Sequence, residues 1–156
     1  MRRNIFSIFK AEPKFSTTQE LGVFGEQLAL EYLKKQGYRI VVTNYLTPLG
    51  RSRNGRPLTG EIDIIAYNEK TELSFIEVKT RSREDFATPQ AAVDLSKQRK
   101  IIKTARVYRR VLQLTEEPYR YDVVSVLARP GLAPEINLLR GYFNETRFRK
   151  SSWWSK

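Results

Sequence analysis

Asp63, Glu77 and Lys79 are charged side chains set inside segments that otherwise read as buried strand, Glu61-Ile62-Asp63-Ile64-Ile65 and Phe75-Ile76-Glu77-Val78-Lys79. Packing gives no reason for charge there, because an uncompensated charge among apolar residues is costly to bury. Side chains alternate between the faces of a strand, so Glu77 and Lys79 share a face. By the same rule Asp63 shares a face with Glu61 and Ile65. The two segments read as a hairpin, residues 61–67 and 72–80, joined through Asn68-Glu69-Lys70-Thr71. If Asn68 opposes Glu72, Asp63 opposes Glu77, and a slip of one residue throws the set to the other face. In the first register two carboxylates and an ammonium converge. Phosphodiester hydrolysis can use that set: a divalent metal polarises a phosphoryl oxygen and acidifies a water. Mg²⁺ takes one or two carboxylates, with water and phosphate oxygens completing its shell. Asp63 and Glu77 suit as ligands, with the Val78 carbonyl as a third. Lys79 suits orienting the attacking water or offsetting developing charge. Two carboxylates that share one ion are expected roughly 4–6 Å apart.

Glu26 is a fourth candidate. It lies among the small residues Gly22, Gly25 and Ala29 of a helical pattern. From a helix covering the sheet it can reach the same patch, as a further ligand or a water-holder.

The composition narrows the chemistry. The chain of 156 residues contains no Cys and no His. Thiolate zinc sites, disulfides, Cys nucleophiles and Ser-His-Asp triads are therefore excluded. A metal must be a hard ion on oxygen ligands, and Mg²⁺ or Mn²⁺ is the expected cofactor. Lys and Arg number 28 against 17 Asp and Glu, a formal charge of +11. That excess points to a polyanionic partner. No apolar run approaches the ~20 residues needed to span a bilayer, and a cytoplasmic location is expected.

The elements that must position these residues can be read in order. Residues 1–15 read as a flexible arm. Thr17, with Glu20 three positions on, forms a capping box for a helix running to about Gln36, with Gly37 as its left-handed terminus. Leu21, Phe24, Leu28 and Tyr32 recur at helical spacing on its inner face. Residues 38–43 (YRIVVT) read as a strand. Residues 44–59, rich in Gly, Pro and Arg, read as a long connection carrying Arg51, Arg53 and Arg56. The hairpin follows, then a charged loop and a short helical piece from Pro89. A longer helix starts near Asp94 and runs to about Gln113. Its expected inner face is Leu95, Gln98, Ile102, Ala105 and Leu112. Arg99, Lys103, Arg106 and Arg110 form an outer basic stripe able to follow a phosphate backbone. Residues 119–127 read as a strand, Pro130-Gly131 as a turn and 136–139 as a last short strand. The expected fold is α+β, a mixed sheet flanked by helices in the order αβββαβ with an added strand. One domain, 16–143, is followed by a basic aromatic tail, 144–156, whose Trp153-Trp154 can stack on bases.

In this setting several motifs resemble a known family. Glu26 after Gly22-Val23-Phe24-Gly25, the Gly60-Glu61-Ile62-Asp63 segment, Phe75 through Arg81, Lys97 heading a helix, and Arg120-Tyr121-Asp122-Val123-Val124 look like the YraN-like family. That family is similar to the restriction-endonuclease-like PD-(D/E)xK nucleases, and among them to archaeal Holliday-junction resolvases. The resemblance spans roughly residues 20–143. It implies the αβββαβ nuclease core, with Asp63, Glu77 and Lys79 in the catalytic positions, Glu26 in the helix-one acidic position and Lys97 in a basic position on the later helix. The expected activity is metal-dependent cleavage of DNA, branched or single-stranded, with Lys97, Arg81, the basic stripe and the loop arginines holding phosphates. A homodimer fits resolvase-like action, although no stretch of the chain marks a dimer face. The competing reading is a nucleic-acid-binding accessory protein with an inactive site of the same shape.

Overall fold

The computed structural model describes residues 15–83 and 93–148. Most of the N-terminal arm, the helical piece from Pro89 and the Trp153-Trp154 pair lie outside the described residues. The elements are helix α1 (Thr18–Lys35), strands β1 (Arg39–Arg51), β2 (Pro57–Tyr67) and β3 (Leu73–Arg81), helix α2 (Leu95–Val111), strands β4 (Tyr119–Leu127) and β5 (Glu135–Phe143), and a 3-10 turn at Thr146–Phe148. The strands form one sheet in the order β1-β2-β3-β4-β5. Only β3 and β4 run parallel, with α2 as their crossover, and the other neighbours are antiparallel. This is the α+β architecture with the αβββαβ order and an added strand.

Helix α1 starts where its cap residues say it should. Thr17 Oγ1 accepts from Glu20 N–H at 3.1 Å. The Glu20 carboxylate reaches back one residue further than a standard capping box, accepting from the N–H and hydroxyl of Ser16. Gly37, at φ 85°, ends the helix. The buried α1 residues Phe24, Leu28, Ala29 and Leu33 pack on Ile64, Ile76, Val78, Val124 and Val126. Helix α2 covers the other face, with Ile101, Ile102, Ala105 and Tyr108 against Ile62, Ile65, Phe75, Tyr121 and Val123. Its inner face is rotated from the expected one. Leu95 and Leu112 are exposed, and Ile101, Tyr108 and Arg109 are buried in their place. The physical reason is that Arg109 can be buried: its guanidinium lies 3.6 Å from the centroid of the Tyr119 ring and donates to the carbonyls of Leu114 and Thr115.

The connection expected at 44–59 is corrected. Strand β1 continues to Arg51 and β2 begins at Pro57, so the segment is itself a β-ribbon closed by a turn. Ser52 N–H donates to Arg56 O, Gly55 N–H donates to Ser52 O, and Arg51 Nη1 donates to Gly55 O. The Gly and Arg residues that read as a loop are the tip of this hairpin.

Two glycines set how closely the helices approach the sheet. A Cβ on Gly25 would lie 1.8 Å from Thr80 Oγ1, and one on Gly60 would lie 2.0 Å from Thr104 Oγ1. Helix α1 therefore rests directly on β3 beside Glu26, and α2 rests on β2 just ahead of Asp63. Gly22, by contrast, faces open space. Gly25→Ala is expected to cost about 1–3 kcal/mol through overpacking. Gly22→Ala should stabilise by roughly 0.5–1 kcal/mol, because alanine is the better helix former. Urea midpoints of the two variants check this, and equal midpoints would contradict the close approach at Gly25.

Candidate active site

The β2–β3 ladder runs from Tyr67↔Leu73 to Ile64↔Ile76. Its turn end is closed by Asn68 N–H donating to Glu72 O at 3.0 Å. One further step sets Asp63 opposite Glu77, and there the backbone pairing stops. The Asp63 carboxylate takes over, accepting from Val78 N–H at 2.7 Å. Beyond this point β3 follows β4 as far as Arg81↔Leu127, while β2 stays with β1. The sheet forks, and Asp63 and Glu77 stand at the fork.

The fork also breaks the alternation of side chains. Ile62 and Ile65, three residues apart, both pack on the α2 side, while Ile64 packs on the α1 side. The same break appears on β1, where Val42 and Tyr45 both pack on the α2 side. Between them Asn44 has φ 51°, the left-handed region that Asn tolerates better than most residues. Asp63 therefore does not simply share a face with Ile65, as strict alternation had it. It sits where β2 is rephased, and its carboxylate turns toward the backbone of β3.

Glu77 points to the α2 side and is 3% exposed. Its Oε2 lies 3.1 Å from Lys97 Nζ, and its Oε1 lies 3.9 Å from Lys79 Nζ. Oε2 accepts no well-aligned hydrogen bond, so Lys97 neutralises it by charge. The Asp63 and Glu77 carboxyls are within hydrogen-bonding reach of each other. Burial, then the charge of Asp63, pushes the Glu77 carboxyl up to about 7. Burial also raises Asp63, against the opposing pull of the Val78 hydrogen bond. Burial would lower Lys97, but Glu77 and Asp63 outweigh it and hold the ammonium charged above its ordinary range. The pair is short of positive charge even with Lys97 beside it.

Glu26 approaches from the α1 side, half-buried. Burial, then the charge of Asp63, raises its carboxyl, and the Asn44 side chain hydrogen-bonds to it. Among the described residues no three acidic side chains converge into a metal cage, so Glu26 does not complete a three-carboxylate group with Asp63 and Glu77. The donor set that remains is two carboxylates and the Val78 carbonyl. It consists of hard oxygens with one buried unpartnered acceptor, which fits Mg²⁺ or Mn²⁺.

Two features were not legible as site residues in the right role. Lys97, expected on phosphates, reaches Glu77 more closely than Lys79 does. Asn44 was read as the first residue of a loop. Continuing the β1–β2 register, Thr43↔Ile64 and Tyr45↔Ile62, sets it opposite Asp63. An Asn directly after a β-branched run was the available signal, since Asn is the common non-glycine residue at left-handed positions.

The basic residues divide. Arg99, Lys103, Arg106 and Arg110 are exposed along α2, but Arg106 is held by Glu145. Arg53 and Arg56 are exposed at the hairpin tip, while Arg51 braces its turn. Arg81 ends β3, half-buried, on the strand that carries Glu77 and Lys79. Among the described residues no helix is long and apolar enough to cross a membrane.

The sequence profile of the uncharacterised protein family UPF0102 matches residues 25–126, which include every acidic and lysine residue of the fork. A UPF0102 protein of Koribacter versatilis is 42% identical over 134 residues, covering 85% of this chain and 85% of the relative. One from Solibacter usitatus is 40% identical over 122 residues, covering 78% and 84%. One from Chlorobium limicola is 45% identical over 108 residues, covering 69% and 75%. With the profile spanning the core from α1 to β4 and such relatives aligned over most of their length, the chain belongs to UPF0102, the YraN family that its motifs resemble.

Proposed function

We propose that this protein is a metal-dependent endonuclease that hydrolyses DNA phosphodiester bonds, acting on branched or single-stranded DNA. The observation that carries the reading is the fork between β2 and β3, which sets Asp63 against Glu77 with Lys97 and Lys79 on the same carboxylate. Asp63, Glu77 and the Val78 carbonyl are the residues that would hold Mg²⁺ or Mn²⁺. The ion would supply polarisation of the scissile phosphate and a more acidic water.

The chain's own residues do the rest. Lys97 keeps Glu77 ionised in a buried setting and holds it toward α2. Lys79, with 42% of its side chain exposed, can reach outward to orient water or to meet charge developing on the phosphate. Asn44 steadies Glu26 on the far side of the fork, where that carboxylate can hold a water. Arg99, Lys103 and Arg110 on α2, and Arg53 and Arg56 on the hairpin tip, provide phosphate contacts whose strength falls steeply with salt. A homodimer would give two such forks for the two strands of a junction.

The test is a panel of duplex, flap, four-way junction and single-stranded DNA, with RNA beside it, each in Mg²⁺, Mn²⁺ or EDTA. Cleavage of at least one structure in metal, absent in EDTA, is expected. Binding without cleavage of any substrate would instead assign the chain to the accessory, inactive-site reading. Absence of binding to every substrate would remove nucleic acid as the partner.

A further inference from the structure

Beside the fork, the first turn of α2 borders a second feature that the proposed chemistry does not use. An open cleft of about 670 Å³ is lined by Gln98, Tyr142, Phe143, Asn144, Thr146 and Arg147. Its volume is within the ~300–1,000 Å³ of small-ligand sites. Gln98 is 7% exposed, and its Oε1 has no hydrogen-bond partner. The amide cannot relieve this by turning over. Its Nε2 donates to Val93 O at 2.8 Å, and the reversed amide would set two acceptors against each other. A buried acceptor is thus locked without a donor, which is rare in native proteins unless a ligand or water completes it.

The surroundings say what kind of donor fits. Tyr142 and Phe143 are half-buried aromatic rings in the lining. Arg147 is exposed in the lining, and nearby Arg99 is exposed with its guanidinium 5.3 Å from the centroid of the Phe148 ring. The segment is braced before any ligand arrives: Asn144 Oδ1 accepts from Thr146 N–H at 3.0 Å, and Glu145 bonds both Arg106 and the Tyr121 hydroxyl. Aromatic surface, a fixed acceptor and rim arginines match a base with its phosphate. Gln98 directly follows Lys97, whose ammonium is in the fork. A strand whose phosphate lies at Lys97 can therefore place a neighbouring base by Gln98.

We infer that this cleft is a binding pocket for one unpaired nucleobase bearing an exocyclic amine, adenine or cytosine, with Gln98 Oε1 accepting from that amine and the aromatic residues stacking on the ring. The inference rests on the nuclease reading for its DNA partner and gives that reading a substrate class: DNA with an extrahelical or single-stranded base next to the cleaved bond. Adenine N6 and cytosine N4 are donors, whereas thymine presents a carbonyl at the equivalent place.

The test is equilibrium binding of the full chain in EDTA, followed by fluorescence anisotropy. The probes are a hairpin duplex without a bulge and the same duplex with a one-nucleotide bulge of adenine, purine, thymine or an abasic site. Adenine is expected to bind roughly 5–10-fold tighter than purine, which lacks only the amine, and tighter still than the abasic site. Gln98→Leu should bring adenine and purine to equal affinity and leave the unbulged duplex unchanged. Equal wild-type affinity for adenine and purine bulges would overturn the pocket while leaving the nuclease reading standing, as would occupation of the cleft by the chain's own tail, which gives the same result. That comparison needs no variant, so it decides the matter even where Gln98→Leu does not fold. Failure to bind any probe would overturn the nuclease reading and the pocket together.

Discussion

Glu77→Gln is expected to lower metal-dependent cleavage by roughly 10³-fold or more, because a metal ligand contributes several kcal/mol to the transition state. DNA affinity should be unchanged or tighter, since the basic surface is untouched and one negative charge is gone. The same substitution has a second, opposite signature that does not depend on any substrate. In the metal-free protein burial and Asp63 push Glu77 up to about 7, above its ordinary value near 4.5. The folded state then binds a proton that the unfolded state has released. Stability falls as pH rises from about 4.5 to 7 and stays lowered above that window. Glutamine removes this penalty. Glu77→Gln should be more stable than wild type at pH 8 by about 2 kcal/mol and no more stable at pH 4. Millimolar Mg²⁺ should stabilise wild type at pH 8 and leave the variant unmoved, through mass action on the folded state. Thermal melts at the two pH values, with and without Mg²⁺, check this. A variant less stable than wild type at pH 8 would mean that the Lys97 ion pair outweighs burial, and the site would then be structural.

Asp122→Ala is expected to cost about 3–5 kcal/mol, a large share of the ~5–15 kcal/mol that holds a domain folded. Asp122 is fully buried on the α1 side of β4, in register with Ile76. Its carboxylate accepts from Arg120 Nε at 2.8 Å, from the Tyr38 hydroxyl at 3.1 Å and from Gly141 N–H at 2.9 Å. The last bond lies where β5 departs from regular pairing, between Tyr121↔Phe143 and Val123↔Leu139. The side chain there stands in for a missing ladder partner. Arg120 in turn donates to the Tyr38 hydroxyl at 2.7 Å and to Glu72 at 3.3 Å. Alanine would leave a mostly buried guanidinium short of its counter-ion and a backbone N–H without an acceptor. Asp122→Asn keeps most of the hydrogen bonds and should cost distinctly less, about 1–2 kcal/mol. Urea denaturation of both variants tests the ordering. Equal losses would show that the charge, and not the hydrogen bonds, carries the network.

Asp122 and Asp63 show how much the residues alone could say. Both are carboxylates inside apolar strands, and from composition they look alike. Asp122 is surrounded by donors that satisfy it completely, whereas Asp63 and Glu77 face each other with an unpartnered oxygen between them and Lys97. That difference arises from residues up to 84 positions apart in the chain, so no local pattern carries it. The long hairpin shows the same limit. Gly50, Pro57 and three arginines have loop propensity, and the pairing of β1 with β2 overrides it.

Local chemistry by itself determined the helices through their caps, the strands through their β-branched runs, the order of elements, and the exclusion of any thiol or imidazole chemistry. The hairpin register was also legible, because four residues between two apolar runs leave few ways to pair them. The tertiary structure decided what that register means. Backbone pairing ends just past Ile64↔Ile76, and the side chain of Asp63 replaces it on β3. Lys97 arrives from a helix, and Glu26 with Asn44 arrives from the opposite face. A site assembled where a sheet divides depends on where hydrogen bonds stop, and that is a property of the packed chain and not of any one segment.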